Sequence, residues 1–170
     1  MTPIRLSKEF FKQNALDLAP QLLGKYIVKN TDGKIEKFMI TETEAYCGEE
    51  DLACHASKGR TKRTEVMYEE GGKVYTYIIY GIHWMLNVVC GAKNNPQAVL
   101  IRSIDEVNGP GRVGKRLNID KSFYGTDLCS SKIIWIEELD NQTPKCTYSK
   151  RIGIDYAGEI WKNKLWRFSL

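Results

Sequence analysis

The stretch from Ile40 to His55, ITETEAYCGEEDLACH, constrains this chain more than any other. Ile40, Glu42, Glu44 and Tyr46 alternate with Thr41, Thr43 and Ala45, the pattern of a strand, and threonine favours strand backbone. Successive strand side chains point to opposite faces, so Glu44 and Tyr46 share a side if the strand holds to Tyr46. The run then meets a Cys47-Gly48 turn. A carboxylate and an aromatic ring at the mouth of a turn suit a site that binds something flat and activates a water. His55, one of two histidines in the chain, follows shortly after. The plainer reading is a solvated acidic face with a tyrosine capping the core.

The chain has 170 residues, which predicts one domain over 1–170 with a full core of its own. Hydrophobic content of 42% and charged content of 27% are those of an ordinary globular protein. A net charge of +4 permits a polyanionic partner without requiring one. The N-terminus, MTPIRLSKEFF, lacks the apolar core of a signal peptide, and no run is long enough to span a membrane. Five cysteines, an odd number with no CxxC, read as free thiols in a reducing compartment. Cys47, Cys54 and His55 could ligate a metal, but no second ligand pair stands at the required spacing, so no metal is expected.

In chain order, Leu6 to Gly24 reads as helical. Ser7 can cap the first turn and Asn14 a second piece running toward Leu22-Leu23, Pro20 predicts a break or kink, and Gly24 predicts the stop. Lys25 to Lys29, an Asp32-Gly33 turn and Lys34 to Tyr46 read as a hairpin. Gly48 to Gly72 is polar and irregular. Within it KGRTKR carries four basic residues (Lys58, Arg60, Lys62, Arg63), either a solvated loop or a phosphate-contacting one.

Lys73 to Cys90 reads as strand, Gly81 turn, strand. Tyr75, Tyr77 and Ile79 share one face, and Val74, Thr76, Ile78 and Tyr80 the other. Tyr77 and Tyr80 therefore point opposite ways, one toward a pocket and one onto an outer surface, unless the tyrosines are simply good strand formers. Asn87 is a lone amide in an apolar run and needs partners, as a turn bonder or as a readout group. Gly91 to Pro96 is a turn. Arg102 sits inside the apolar strand Ala98 to Ile104 and needs an acid or a phosphate, with Glu44 or some other carboxylate as its partner. His83 and Trp84 follow the Tyr80-Gly81 turn and read as packing, with DNA contact the other option.

Asn108-Gly109-Pro110-Gly111 opens a helix through Arg112, Lys115 and Leu117, exposing N–H groups that can hold an anion. Ile133 to Ile136 and Arg151 to Ile154 read as strands, and Asp140 to Thr147 as loop. The chain closes on WKNKLWRFSL. No repeat or low-complexity tract appears.

Taken together, RLSKEFF, LLGK, ITETEAY, the H-x-S-x-G-R at His55, VYTYIIYG with Asn87, the LIR ending at Arg102, GPGRVGKRLNIDKS and RIGIDYAGE resemble the alkyladenine (3-methyladenine) DNA glycosylases of the mammalian type, which have bacterial members. The match runs nearly end to end. The order of TETEAY and YTYIIYG is its most specific part.

The resemblance implies roles position by position. Glu44 matches the general base and Arg102 the arginine that helps hold the nucleophilic water. Tyr46, His55 and Tyr77 match the walls that stack on an extruded base. Asn87 matches the amide that screens purines. Tyr80 matches the tyrosine that enters the minor groove. Ile152 matches a position whose backbone carbonyl touches the water. Lys58, Arg60, Lys62 and Arg63 are candidate phosphate contacts. The final strand is expected to be short, which bears on stability more than on chemistry.

The expected fold is α+β, a curved, mainly antiparallel sheet flanked by helices with a projecting hairpin. The expected partner is duplex DNA containing damaged purines. The expected protein is a monomer without cofactor, in the cytoplasm, nucleoid-associated if bacterial. The expected reaction is monofunctional hydrolysis that leaves an abasic site, because no lysine matches a nucleophile. The alternatives are a damaged-DNA-binding module of the same fold without catalysis, and a small-molecule hydrolase or transferase using Glu44.

Overall fold

The structure, a computed structural model, describes residues 2–140 and 144–170. Chain order runs β1 (Ile4–Arg5), α1 (Lys8–Phe11), α2 (Ala15–Leu22), β2 (Tyr26–Thr31), β3 (Lys34–Tyr46), β4 (Val74–Ile79), β5 (His83–Cys90), β6 (Gln97–Ile104), β7 (Val107–Asn108), α3 (Pro110–Arg116), β8 (Ile134–Glu138), β9 (Thr147–Ser149), α4 (Gly158–Lys162) and β10 (Arg167–Ser169). Short 3-10 turns at His55–Lys58, Glu65–Tyr68, Lys121–Phe123 and Asp155–Ala157 interrupt the connections.

The architecture is α+β, with a mainly antiparallel sheet and few helices. The sheet order is β1-β8-β2-β3-β6-β5-β4, and β10 adds to β3 from the other side of the path. β3 is the spine. Its first half pairs β2 from Lys34 to Met39, and its second half pairs β6 and β10. The β2–β3 hairpin turns at Asp32 (φ 51°) and Gly33 (φ 90°), the left-handed pair that a two-residue hairpin turn requires.

One face of the sheet packs on α2 and α3. Leu18, Leu22, Leu23, Ile40, Val74, Val99, Ile101 and Val113 are all fully enclosed there. Each such aliphatic side chain contributes roughly 1.5–3 kcal/mol relative to exposure. Thr43, on this buried face, satisfies its hydroxyl by donating to the Ala19 carbonyl of α2 across 2.8 Å. The other face carries the site described below.

Two sequence expectations are corrected. The second helical piece expected from Asn14 toward Leu22-Leu23 forms as α2, but Pro20 lies inside it and does not end it. Asn14 caps the new start by accepting from the Asp17 N–H, whereas Ser7 makes no side-chain cap bond. Pro20 is tolerated because the carbonyl it leaves without a donor belongs to Leu16, an exposed residue near the helix start. Arg151 to Ile154 is an irregular bend rather than a strand, and the nearby strand is β9. The reason is Arg151, whose side chain turns inward to a buried acid. Part of the expected loop from Asp140 to Thr147 lies outside the described residues; Thr147 itself opens β9. The last strand, β10, is three residues long, as expected.

Candidate active site

The register sets the site. Arg167 of β10 pairs with Glu44 of β3, Glu44 with Leu100 of β6, Leu100 with Asn87 of β5, and Asn87 with Tyr75 of β4. Directly paired residues place their side chains on one face. One transverse row thus puts Glu44, Asn87 and Tyr75 together, and Tyr46 and Tyr77 lie two residues along the same strands. Compensating bulges between β3 and β6 leave Thr41 and Arg102 without a direct partner. Arg102 thereby reaches two acids of β3 at once.

Glu44 has no solvent exposure. Its Oε1 accepts the Ile152 N–H at 2.8 Å, and its Oε2 accepts the Tyr46 hydroxyl at 2.7 Å. Arg102 Nη1 lies 3.5 Å from Oε1, so Glu44 is one of the acids that Arg102 meets. Burial pushes the Glu44 carboxyl above its ordinary value, against the pull of Arg102, the Ile152 N–H and Tyr46. Arg102 also bonds Glu42 through Nε at 3.3 Å. Glu42 receives Ser103 at 3.0 Å and Arg167 at 2.9 Å. Burial alone would raise Glu42, but Arg167, Ser103 and Arg102 together hold it below the usual carboxylate range.

Above this floor opens a cleft of about 1270 Å³ lined by Tyr46, His55, Tyr77, Asn87, Arg102 and Ile152 among others. His55 lies 4.5 Å from Tyr77, ring centre to ring centre, and its Nδ1 is 2.7 Å from the Tyr75 hydroxyl. Burial, with Arg63 nearby, lowers His55 to about 4, so it is neutral at pH 7. Asn87 is buried and donates to the Tyr75 carbonyl at 3.2 Å. Ile152 donates its backbone N–H to Glu44.

Tyr80 sits on the rim, 90% exposed, at φ 53° with Gly81 at φ 69°. β4 ends at Ile79, so strand alternation no longer governs Tyr80, which stands exposed beside the turn and at the cleft mouth. A bulky residue held left-handed is uncommon and marks a position the turn must enforce. Trp84 packs against the core, while His83 is exposed, lies against Gly111 and lines the cleft.

The basic loop divides. Lys58 and Arg63 line the cleft, joined by Arg112 of α3, and among the described residues no Asp or Glu lines it. Arg63 lies 5.3 Å over the Tyr77 ring. Arg60 turns to the Tyr68 ring at 5.1 Å and to Glu65 at 3.7 Å. Lys62 lines a smaller neighbouring cleft.

Sequence reasoning missed Arg151, Asp51, Glu42 and Arg112. Asp51 stood in the opening stretch and Arg151 in RIGIDYAGE, but nothing in their spacing tied them together. Among the described residues, no three His, Cys, Asp or Glu side chains gather as a metal site, and the cysteines are free. Among the described residues no helix is long and apolar enough to cross a membrane.

Chemically, the arrangement offers aromatic walls for a flat ring, a basic rim for a polyanion and an enclosed carboxylate for a proton. Comparison with known proteins points the same way. The family profile described as methylpurine-DNA glycosylase (MPG) matches residues 9–108 and 104–170. A protein of Natranaerobius thermophilus, provisionally named a 3-methyladenine DNA glycosylase, is 41% identical over 97% of this chain and 94% of its own. Another of that provisional name, from Borreliella afzelii, is 45% identical over 96% and 94%. The chain is a DNA glycosylase, a hydrolase of N-glycosyl bonds. It belongs to the methylpurine-DNA glycosylase family.

Proposed function

We propose that this chain removes alkylated or deaminated purines, of the 3-methyladenine, 7-methylguanine, hypoxanthine and ethenoadenine class, from duplex DNA by monofunctional hydrolysis. The observation that carries the reading is Glu44: an enclosed carboxylate bonded by Tyr46, Arg102 and Ile152, each of which also lines an aromatic cleft.

The glycosidic bond is shielded in the stack, so the nucleotide must leave it. Tyr80 enters from the minor groove and fills the gap, offsetting part of the unstacking cost. The extruded base stacks among Tyr46, His55 and Tyr77, where stacking is worth roughly 1–3 kcal/mol per base. Neutral His55 adds no charge against an electron-poor base, and Asn87 screens its exocyclic group. Lys58, Arg63 and Arg112 face the phosphates, with Lys62 and Arg60 further out.

A water beside Glu44, Arg102 and the Ile152 carbonyl attacks C1′. Its oxygen bonds C1′, its proton passes to Glu44, and the C1′–N bond pair leaves with the purine. The Glu44 charge also opposes the positive charge developing on the sugar. A cationic alkylated base needs no acid to leave, whereas a neutral base takes a proton from water. The product is an abasic site in an unbroken strand. The chain acts as a monomer, without cofactor, where DNA is held in the cytoplasm or nucleoid.

The test is single-turnover base release from duplexes carrying one hypoxanthine, one ethenoadenine or one undamaged adenine, and from alkylated DNA, with hot alkali to reveal abasic sites. Release from damaged duplexes alone supports the reading. Tight binding to damaged duplex with no release from any of them leaves a lesion-binding module.

A further inference from the structure

Arg151 and Asp51 form a pair with no side-chain exposure at all. Arg151 Nη1 lies 2.6 Å from Oδ2 and Nη2 lies 2.9 Å from Oδ1, a bidentate contact. Nη1 also donates to the Ala45 carbonyl at 3.0 Å. The guanidinium lies 4.8 Å from the Tyr46 ring centre and 4.9 Å from that of Trp166. Asp51 in turn accepts the N–H groups of Cys47 and Ala53. One ion pair thus ties together the end of β3, the turn leading to His55, the bend carrying Ile152 and the segment before β10.

Enclosing two charges is costly, and apolar side chains of equal volume hold segments together at least as well. A guanidinium fork supplies something they do not, a fixed orientation. Here that orientation reaches Glu44 by two routes. Ile152 follows Arg151 directly and donates to Oε1, and the Tyr46 ring that Arg151 backs carries the hydroxyl on Oε2.

We propose that Arg151, oriented by Asp51, is a positioning residue for the hydrolytic step: it holds the Ile152 N–H and the Tyr46 hydroxyl on the two oxygens of Glu44, so that the carboxylate keeps one orientation beneath the cleft. The proposal rests on the reading of Glu44 as the base. The groups facing Glu44 are Glu42 and Tyr46 of β3, Tyr77 of β4, Arg102 of β6, Arg167 of β10, and Arg151 and Tyr156 of the bend and the turn after it, with Asp51 behind Arg151. The Arg151 charge, with the Ile152 and Tyr46 donors that it holds in place, favours the ionised carboxylate. Removing Arg151 therefore raises Glu44.

The experiment measures base release from ethenoadenine duplex at saturating enzyme against pH, for wild type, Arg151→Lys, Arg151→Met, Asp51→Asn and Glu44→Gln, at temperatures where each circular dichroism spectrum matches wild type. Arg151→Lys keeps the charge and loses the fork, and is expected to slow release on the order of 10–100-fold, the scale of a small misplacement, with duplex affinity unchanged. The acid limb is expected to move up in pH for Arg151→Met, and Asp51→Asn, which leaves the fork without its partner, is expected to slow release as Arg151→Lys does. Arg151→Lys at the wild-type rate overturns the proposal. So does a limb that stays in place or moves down in Arg151→Met, release at the wild-type rate by Asp51→Asn, or a duplex affinity that falls in step with rate. If Arg151→Met does not fold, Arg151→Lys and Asp51→Asn decide. Wild-type release by Glu44→Gln defeats the underlying reading. An inactive Glu44→Gln beside clamp variants at full rate defeats the clamp alone.

Discussion

The Tyr46 hydroxyl donates to Glu44 Oε2 across 2.7 Å from two positions along the same strand. The bond is local, set by strand alternation, yet it joins a wall of the cleft to the enclosed carboxylate beneath it. A donor to the ionised form favours that form, so Tyr46 counters the burial that raises Glu44.

Tyr46→Phe keeps the ring and deletes the donor. The pH–rate profile of base release should keep its plateau within a few-fold, while its acid limb moves to higher pH, because Glu44 then holds its proton more tightly. A limb that stays in place contradicts a functional bond between the two residues.

His55 links pH to stability. Its folded value of about 4 lies below its ordinary 6.5, so the fold favours the neutral ring. The His55 contribution is complete above about 6.5 and is lost as pH falls toward 4. His55→Gln keeps an acceptor for Tyr75 without titrating. The drop in urea midpoint between pH 7 and pH 4.5 should be smaller in His55→Gln than in wild type.

Tyr80→Ala separates wedge from fold. With the side chain 90% exposed, the variant should unfold within about 0.5 kcal/mol of wild type. Release at sub-saturating enzyme should weaken by roughly 1–3 kcal/mol, the value of one stacked base. Equal release by both proteins removes Tyr80 from the account.

α3 brings Arg112 to the cleft by lying close on β5. A Cβ at Gly114 would meet the Trp84 carbonyl at 1.9 Å. Gly114→Ala gains up to about 1 kcal/mol of helix propensity but forces the backbone apart. Overpacking at roughly 1–3 kcal/mol or more wins, so chemical denaturation should find the variant less stable.

Alternation carried most of the sheet. Glu44 with Tyr46, and Tyr75 with Tyr77, were legible as shared faces because a strand has a fixed period. The Asp32-Gly33 turn was legible from its backbone demand. Pro20 misled because the cost of a proline depends on where its helix begins, and Asn14 sets that start. Arg151 misled more deeply. A charged residue before an apolar pair reads as a strand, whereas its partner Asp51 lies far away in sequence and no local pattern announces it. The bulge at Arg102 was equally silent, although the need of a buried arginine for an acid pointed correctly to Glu44. Glu42 went unseen as the second acid because that same need names no number of partners.

The most direct test of the central claim compares wild type with Glu44→Gln in single-turnover release from an ethenoadenine duplex, with duplex affinity measured alongside. Release should nearly vanish with affinity retained, since glutamine keeps the size of the side chain and one acceptor oxygen but cannot take a proton from water. Release that survives the substitution contradicts the claim and moves water activation to another group.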